Sequence, residues 1–208
     1  MIRRSTLFVI AASSIAASFG GWAVTTIHQM PDYVVAGKPV NLEFTVRQHG
    51  FQYMSGLKPE LEARSGTTSL RATALPGKGP GVYASTITLP HAGEWTITIA
   101  PGWGKAVTLL PLQAIEPGAK PVTYTEAERG RRLFVAKGCV TCHGEIAIGP
   151  ELASREFPVD YLKQLLADPA ATFGSRRGAK EMPNLNLSQQ EIGSLAAFVS
   201  NSKRAAVR

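Results

Sequence analysis

Cysteine is nearly absent from this chain. Its two copies, Cys139 and Cys142, stand three positions apart. That excludes a disulfide framework. Histidine is also scarce: there are four, and none follows His143. Long runs of like charge are missing. Basic residues never cluster beyond pairs such as Arg3-Arg4, Arg131-Arg132, Arg176-Arg177 and Lys203-Arg204. The net charge of +7 is therefore scattered, reads as a solvated surface and predicts no nucleic-acid partner. Between residues 28 and 115 no nucleophile–base pairing, phosphate loop or carboxylate pair stands out.

What is present is concentrated in Cys139-Val140-Thr141-Cys142-His143. Cys-x-x-Cys-His is the attachment signature of a covalent c-type haem. Two other readings compete with it. A closed zinc site needs four ligands, and this cluster supplies three, so a distant histidine would have to complete it. A redox Cys-x-x-Cys belongs after a strand, and no strand immediately precedes Cys139.

Residues 1–27 read as a transmembrane or signal segment. Arg3 and Arg4 precede an uncharged stretch from Leu7 to Ile27, which is 21 residues long. A span needs about 20 residues, whereas a signal core usually has about 7–15. The expectation is an uncleaved anchor with Trp22 at the membrane interface. Cleavage near Ala16-Ala17-Ser18, giving a soluble periplasmic protein, is the alternative. Flanking arginines stay on the cytoplasmic side, so the remainder is expected on the periplasmic face of a bacterial inner membrane.

Residues 28–115 read as a β-domain. Val40, Leu42, Phe44 and Val46 alternate with polar neighbours, the period of a half-buried strand. Further strands are expected at Tyr33–Val35, Lys58–Ala63, Ser69–Ala74, Tyr83–Leu89, Glu94–Ile99 and Ala106–Leu110. Glycine- and proline-rich turns separate them. About seven short strands at this spacing predict an antiparallel, immunoglobulin-like sandwich. Gly81-Val82-Tyr83 and Gly93-Glu94-Trp95 read as a final hairpin with Tyr83 and Trp95 on the core side. This pattern resembles the YtkA-like and FixH-like periplasmic domains, a resemblance that implies a place near membrane oxidoreductases or copper-handling systems. His28, Met30, His49, Met54 and His91 raise the thought of copper, but their spacing matches no ligand motif. Surface histidines and core methionines are the expectation. From Pro111 onward prolines break the pattern, and 116–124 reads as a linker.

Residues 125–208 read as all-α. Thr125 and Glu128 form a capping box opening a helix that runs to Gly138. Ser188 and Glu191 form a second box, followed by Ile192, Leu195, Ala196 and Val199 at helical spacing. A third helix is expected from Val159 to Leu166, with Pro158 in its first turn and Asp168-Pro169 at its end. In this frame the pentapeptide resembles the class I cytochromes c over residues 123–203, with Gly130, Leu133 and Phe134 at the family's helix-crossing positions. The fold is thus expected to be multidomain: N-terminal helix, β-sandwich, then an all-α cytochrome c domain.

The resemblance implies one haem c, held through Cys139 and Cys142. His143 is one axial ligand by adjacency. Met182, followed by Pro183, is the only methionine beyond it and falls where the family has its Met-Pro loop. Core filler is the alternative for such a methionine. Gly149-Pro150-Glu151-Leu152 matches the family's Gly-Pro-x-Leu, which assigns the Pro150 carbonyl to the histidine's other N–H. Leu152, Phe157 and Tyr161 are expected to line the pocket, and Arg176, Arg177 or Lys180 to face a propionate. Two axial ligands leave no open position, so the expected role is electron transfer rather than catalysis, with a membrane redox complex or another electron-transfer protein as partner. Alternatives are an assembly subunit docking through the β-domain, or a small peroxidase or gas-binding protein should Met182 be labile.

Overall fold

The computed structural model describes residues 21–145, 147–152, 155–173 and 182–201. Residues 23–115 build two facing sheets. The first contains β1 (Ala23–Ile27), β3 (Pro39–Gln48), β8 (Val82–Thr88) and β7 (Leu75–Pro76) in that spatial order, with β4 (Gln52–Tyr53) also on β3. The second runs β2 (Tyr33–Val35), β11 (Leu112–Ile115), β9 (Gly93–Ala100), β5 (Glu60–Ser65) and β6 (Thr68–Thr73), with β10 (Val107–Thr108) on β9. All pairings are antiparallel except β11 with β2, which run parallel. Leu42, Phe44, Val46, Leu61, Trp95, Ile97 and Ile99 fill the space between the sheets.

Three expectations need correction. The β-domain begins at Ala23, not at residue 28. Ala23–Ile27 pairs with Phe44–Gln48 and every residue of β1 is buried. An uncharged strand buried on both faces, Ala-Val-Thr-Thr-Ile, carries no alternation of apolar and charged residues, so it reads like the continuation of the preceding apolar stretch. Residues 23–27 are therefore withdrawn from any membrane segment, and so is Trp22 from a membrane interface, since its carbonyl accepts the His49 N–H at 2.9 Å and its ring packs on His49; residues 1–20 lie outside the described residues. Among the described residues no helix is long and apolar enough to cross a membrane. Second, Leu112–Ile115 is not broken chain after Pro111 but a strand between β2 and β9. Third, Tyr83 and Trp95 are both in the core, at 1% and 0% exposure, but β8 and β9 lie in opposite sheets and form no hairpin. The Tyr83 hydroxyl donates to the Met54 carbonyl at 2.7 Å and accepts the Leu57 N–H at 3.0 Å. Trp95 Nε1–H donates to the His91 carbonyl at 3.1 Å.

The C-terminal domain has helices α1 (Glu126–Ala136), α2 (Val159–Ala167), α3 (Pro169–Phe173) and α4 (Gln189–Ser200). Both capping boxes form as expected, at Thr125/Glu128 and Ser188/Glu191. Asp168 ends α2 and its Oδ1 accepts the Ala171 N–H, so it also starts α3. α1 crosses α4 at Gly130. A Cβ there would overlap the Ser194 carbonyl oxygen and lie 2.7 Å from Phe198 Cβ. Phe134 meets Phe198 beside the crossing, ring centroids 5.4 Å apart.

The two domains are stapled along α1. Arg129 grips Asp32 with Nε and Nη2, the latter 2.8 Å from Oδ2. Arg132 Nη1 donates to the Pro111 carbonyl at 2.7 Å, with its guanidinium over the Tyr124 ring. Lys137 is 4% exposed; its Nζ donates to the His28 carbonyl at 2.7 Å and lies 2.6 Å from Glu191 Oε1.

Candidate cofactor site

Helix α1 ends at the Lys137 cap, and Gly138 turns the chain with φ +78°. The backbone then enters a turn of π-helix, Thr141–Glu145. This places Cys139, Cys142 and His143 on the wall of a cavity of about 360 Å³. Its floor is apolar: Phe134 from α1, Leu162 and Leu166 from α2, Leu195 and Val199 from α4. Met182 and Pro183 line it as well, arriving on the segment that leads to the α4 cap.

The imidazole of His143 is oriented. Its Nδ1 lies 3.0 Å from the Pro150 carbonyl oxygen. A carbonyl only accepts, so Nδ1 carries the proton and Nε2 keeps its lone pair for a metal. Gly149 makes this possible. A Cβ there would stand 2.6 Å from Nδ1 and 2.7 Å from Cε1 of the same ring. The Phe134 ring stands 6.3 Å from the imidazole, centroid to centroid. Burial pushes the Cys139 thiol up to about 12, with the neighbouring Cys142 adding to it, and burial also raises Cys142. Both sulfurs are thus protonated, uncharged groups facing an apolar space.

The attaching, ligating and pocket residues expected from the sequence line this one cavity: Cys139, Cys142, His143, Pro150, Leu152, Tyr161 and Met182. Phe157 joins them, its ring stacked on Tyr161 at 6.3 Å. Arg176, Arg177 and Lys180 lie outside the described residues. Several lining residues escaped the sequence reading, among them Lys137, Ile148, Leu165 and Leu185, and two matter most. Arg155 brings a positive charge to the rim, and Val24 comes from β1 of the sandwich. A basic residue five positions past the Gly-Pro pair was a weak signal for the first; nothing local signalled the second.

Among the described residues no three or more His, Cys, Asp or Glu side chains group as a metal ion would need. His28 is engaged at both nitrogens, with Glu43 Oε1 at 2.5 Å and Thr45 Oγ1 at 2.6 Å. His49 packs on Trp22 and His91 on Trp95. Met30 and Met54 pack against the core.

Residues 125–199 match the family model described as cytochrome C oxidase, cbb3-type, subunit III. The match supports a c-type cytochrome segment. It covers the whole helical frame, from the first capping box to the last turn of α4. Comparison with curated proteins returns no match. Solved structures similar to this chain include a Lin-41 filamin domain (14% identity, 44% of this chain and 90% of that one, TM-score 0.37). Another is the trypsin-activated alpha-2-macroglobulin from Escherichia coli (16% identity, 45% of this chain and 7% of that one, TM-score 0.36).

The residues of the cytochrome segment fit a haem c. An oriented histidine, a thioether, paired thiols and an apolar slot meet in one cavity, and Gly149 leaves the ring its room. Haem supplies a one-electron redox centre; the chain's own part is to hold, orient and dry it.

Proposed function

We propose that this chain is an exported monohaem c-type cytochrome that passes single electrons on the periplasmic side, as a subunit or partner of a membrane oxidoreductase complex. The observation that carries the reading is the pairing of His143 and Met182 in one cavity, with the histidine's Nδ1–H already committed to Pro150. Cys139 and Cys142 are the only cysteines, so they attach one haem. Met182 is the sixth ligand. A thioether opposite histidine favours reduced iron and closes the site to substrates. That argues for electron transfer over peroxidase or gas-binding chemistry. Leu152 and Tyr161 pack along the haem, and the Arg155 guanidinium is placed to meet a propionate.

Export rests on Arg3-Arg4 and the apolar stretch after them. With β1 claiming residues 23–27, the stretch that remains is Leu7 to Trp22, 16 residues. That length suits a signal core of about 7–15 residues better than a span of about 20. We therefore read the segment as a cleaved leader, and docking rather than an anchor brings the protein to its partner. The N-terminal sequence of the purified protein tests this. Retention of Arg3 would restore the anchor.

The redox reading is tested on the full chain. A pyridine haemochrome spectrum should give one haem c, and titration a reversible one-electron wave. The oxidised protein should show the thioether-to-iron charge-transfer band and bind cyanide slowly. Met182→Ala should abolish the band and bind cyanide rapidly. If wild type and variant bound cyanide and consumed peroxide equally, Met182 would not be a ligand and the enzyme alternative would stand.

A further inference from the structure

The sandwich does more than sit beside the cofactor cavity. Val24, on β1, is 3% exposed and is the one sandwich residue among the described lining of that cavity. The sandwich meets the cavity on both its cysteine side and its methionine side. On the cysteine side, a Cβ at Gly138 would stand 2.5 Å from Val24 Cγ1 and 2.9 Å from the Thr25 carbonyl oxygen. The backbone that delivers Cys139 is therefore laid directly on β1. On the other side, Gly50 occupies the turn between β3 and β4 with φ +82°. A Cβ at Gly50 would lie 3.4 Å from Pro183 Cγ and 3.8 Å from Val24 Cγ2. Pro183, adjacent to Met182, thus packs at the same spot of the sandwich.

This matters because Met182–Leu187 belongs to no helix or strand. A segment without a backbone ladder takes its position from what it packs against. Here that support is β1 and the β3–β4 turn, both held in a sheet by a continuous ladder. The staples on the other flank are equally direct. Thr26 Oγ1 donates to the Lys137 carbonyl at 3.4 Å, and Lys137 Nζ donates to the His28 carbonyl.

We propose that the β-sandwich is a positioning element of the haem site. Val24, lying against Gly138 and beside the Gly50 turn on which Pro183 packs, sets the separation between the Cys139–His143 motif and Met182 and keeps water from that edge. The proposal rests on the reading of Met182 as an axial ligand. It gives the sandwich a role in tuning the haem, where docking alone would leave the haem unaffected by changes in the sandwich.

The test compares Val24→Ala with Val46→Ala in the full haem-loaded chain. Val46 is fully buried in β3 but does not line the cavity. It therefore reports sandwich destabilisation alone. Val24→Ala is expected to accelerate cyanide binding about tenfold, the rate equivalent of about 1.4 kcal/mol, to lower the reduction potential and to weaken the thioether-to-iron band. Val46→Ala is expected to leave all three at wild-type values while lowering the melting temperature. Val24→Thr, which keeps the volume and adds a hydroxyl, gives a second measurement with the same expected direction and stands in if Val24→Ala does not fold. Wild-type values in the folded Val24 variants, or equal shifts in the Val24 and Val46 variants, would overturn the proposal while leaving Met182 a ligand. A wild-type protein lacking the band would instead remove the axial reading itself.

Discussion

Lys137 Nζ lies 2.6 Å from Glu191 Oε1 and donates to the His28 carbonyl at 2.7 Å, so one buried ammonium joins α1, α4 and the sandwich. Removing one partner of a buried ion pair leaves an uncompensated charge. Lys137→Met should cost about 3 kcal/mol for that reason, read as a lowered midpoint in chemical denaturation. Adding Glu191→Gln should recover part of the loss, because the orphaned carboxylate is then neutral. Strict additivity of the two changes would show that the pair is not coupled.

The same pair gives the protein an acid limit. Burial pushes the Glu191 carboxyl up, but the Lys137 ammonium and the N–H and hydroxyl of Ser188 overcome it, and the net effect holds the carboxyl below the usual carboxylate range. A depressed folded-state pKa contributes stability that is complete above the unfolded-state value and is lost as pH falls through the folded one. The packing of α1 on α4 should therefore weaken on acidification below the usual carboxylate range, and Glu191→Gln should flatten that part of the stability–pH curve. Denaturation midpoints across the acid range check this. Identical curves for wild type and variant would rule it out.

Gly149→Ala should disturb the histidine without replacing a ligand. The new methyl would press on Nδ1 and Cε1 of His143, and the bond to Pro150 would lengthen or break. The expected result is a lower yield of haem-loaded protein and a shifted reduction potential, with the melting of the sandwich unchanged. Potentiometry and the haem-to-protein absorbance ratio measure it.

Much of the cytochrome segment could be read from the chain because its signals are local. Each capping box spans four residues and names its own helix start. The Cys139–His143 motif and Gly149-Pro150 carry their geometry in their spacing, and Met182 stood out because no later histidine or methionine competes with it. The sandwich strands with one wet face were equally plain, as at Val40–Val46. What stayed hidden depends on contacts between distant residues. β1 lacks alternation because it is covered on both sides, by the sandwich core and by the cytochrome segment. Tyr83 and Trp95 share a local pattern that does not say which sheet each strand joins. Val24 and Cys139 are 115 positions apart, and only the folded chain makes them neighbours.

Four of the described residues lining the cavity reach the outside: Ile148, Pro150, Arg155 and Tyr161. Ile148 is 51% exposed and Tyr161 36%, while the opposite flank is closed by β1. For the proposed electron carrier, the face covered by the sandwich is closed to partners, and electrons would cross on the side where these residues lie. Donor and acceptor would have to use that side in turn, each leaving before the other arrives. A protein built this way behaves as a courier between partners rather than as a wire clamped between them.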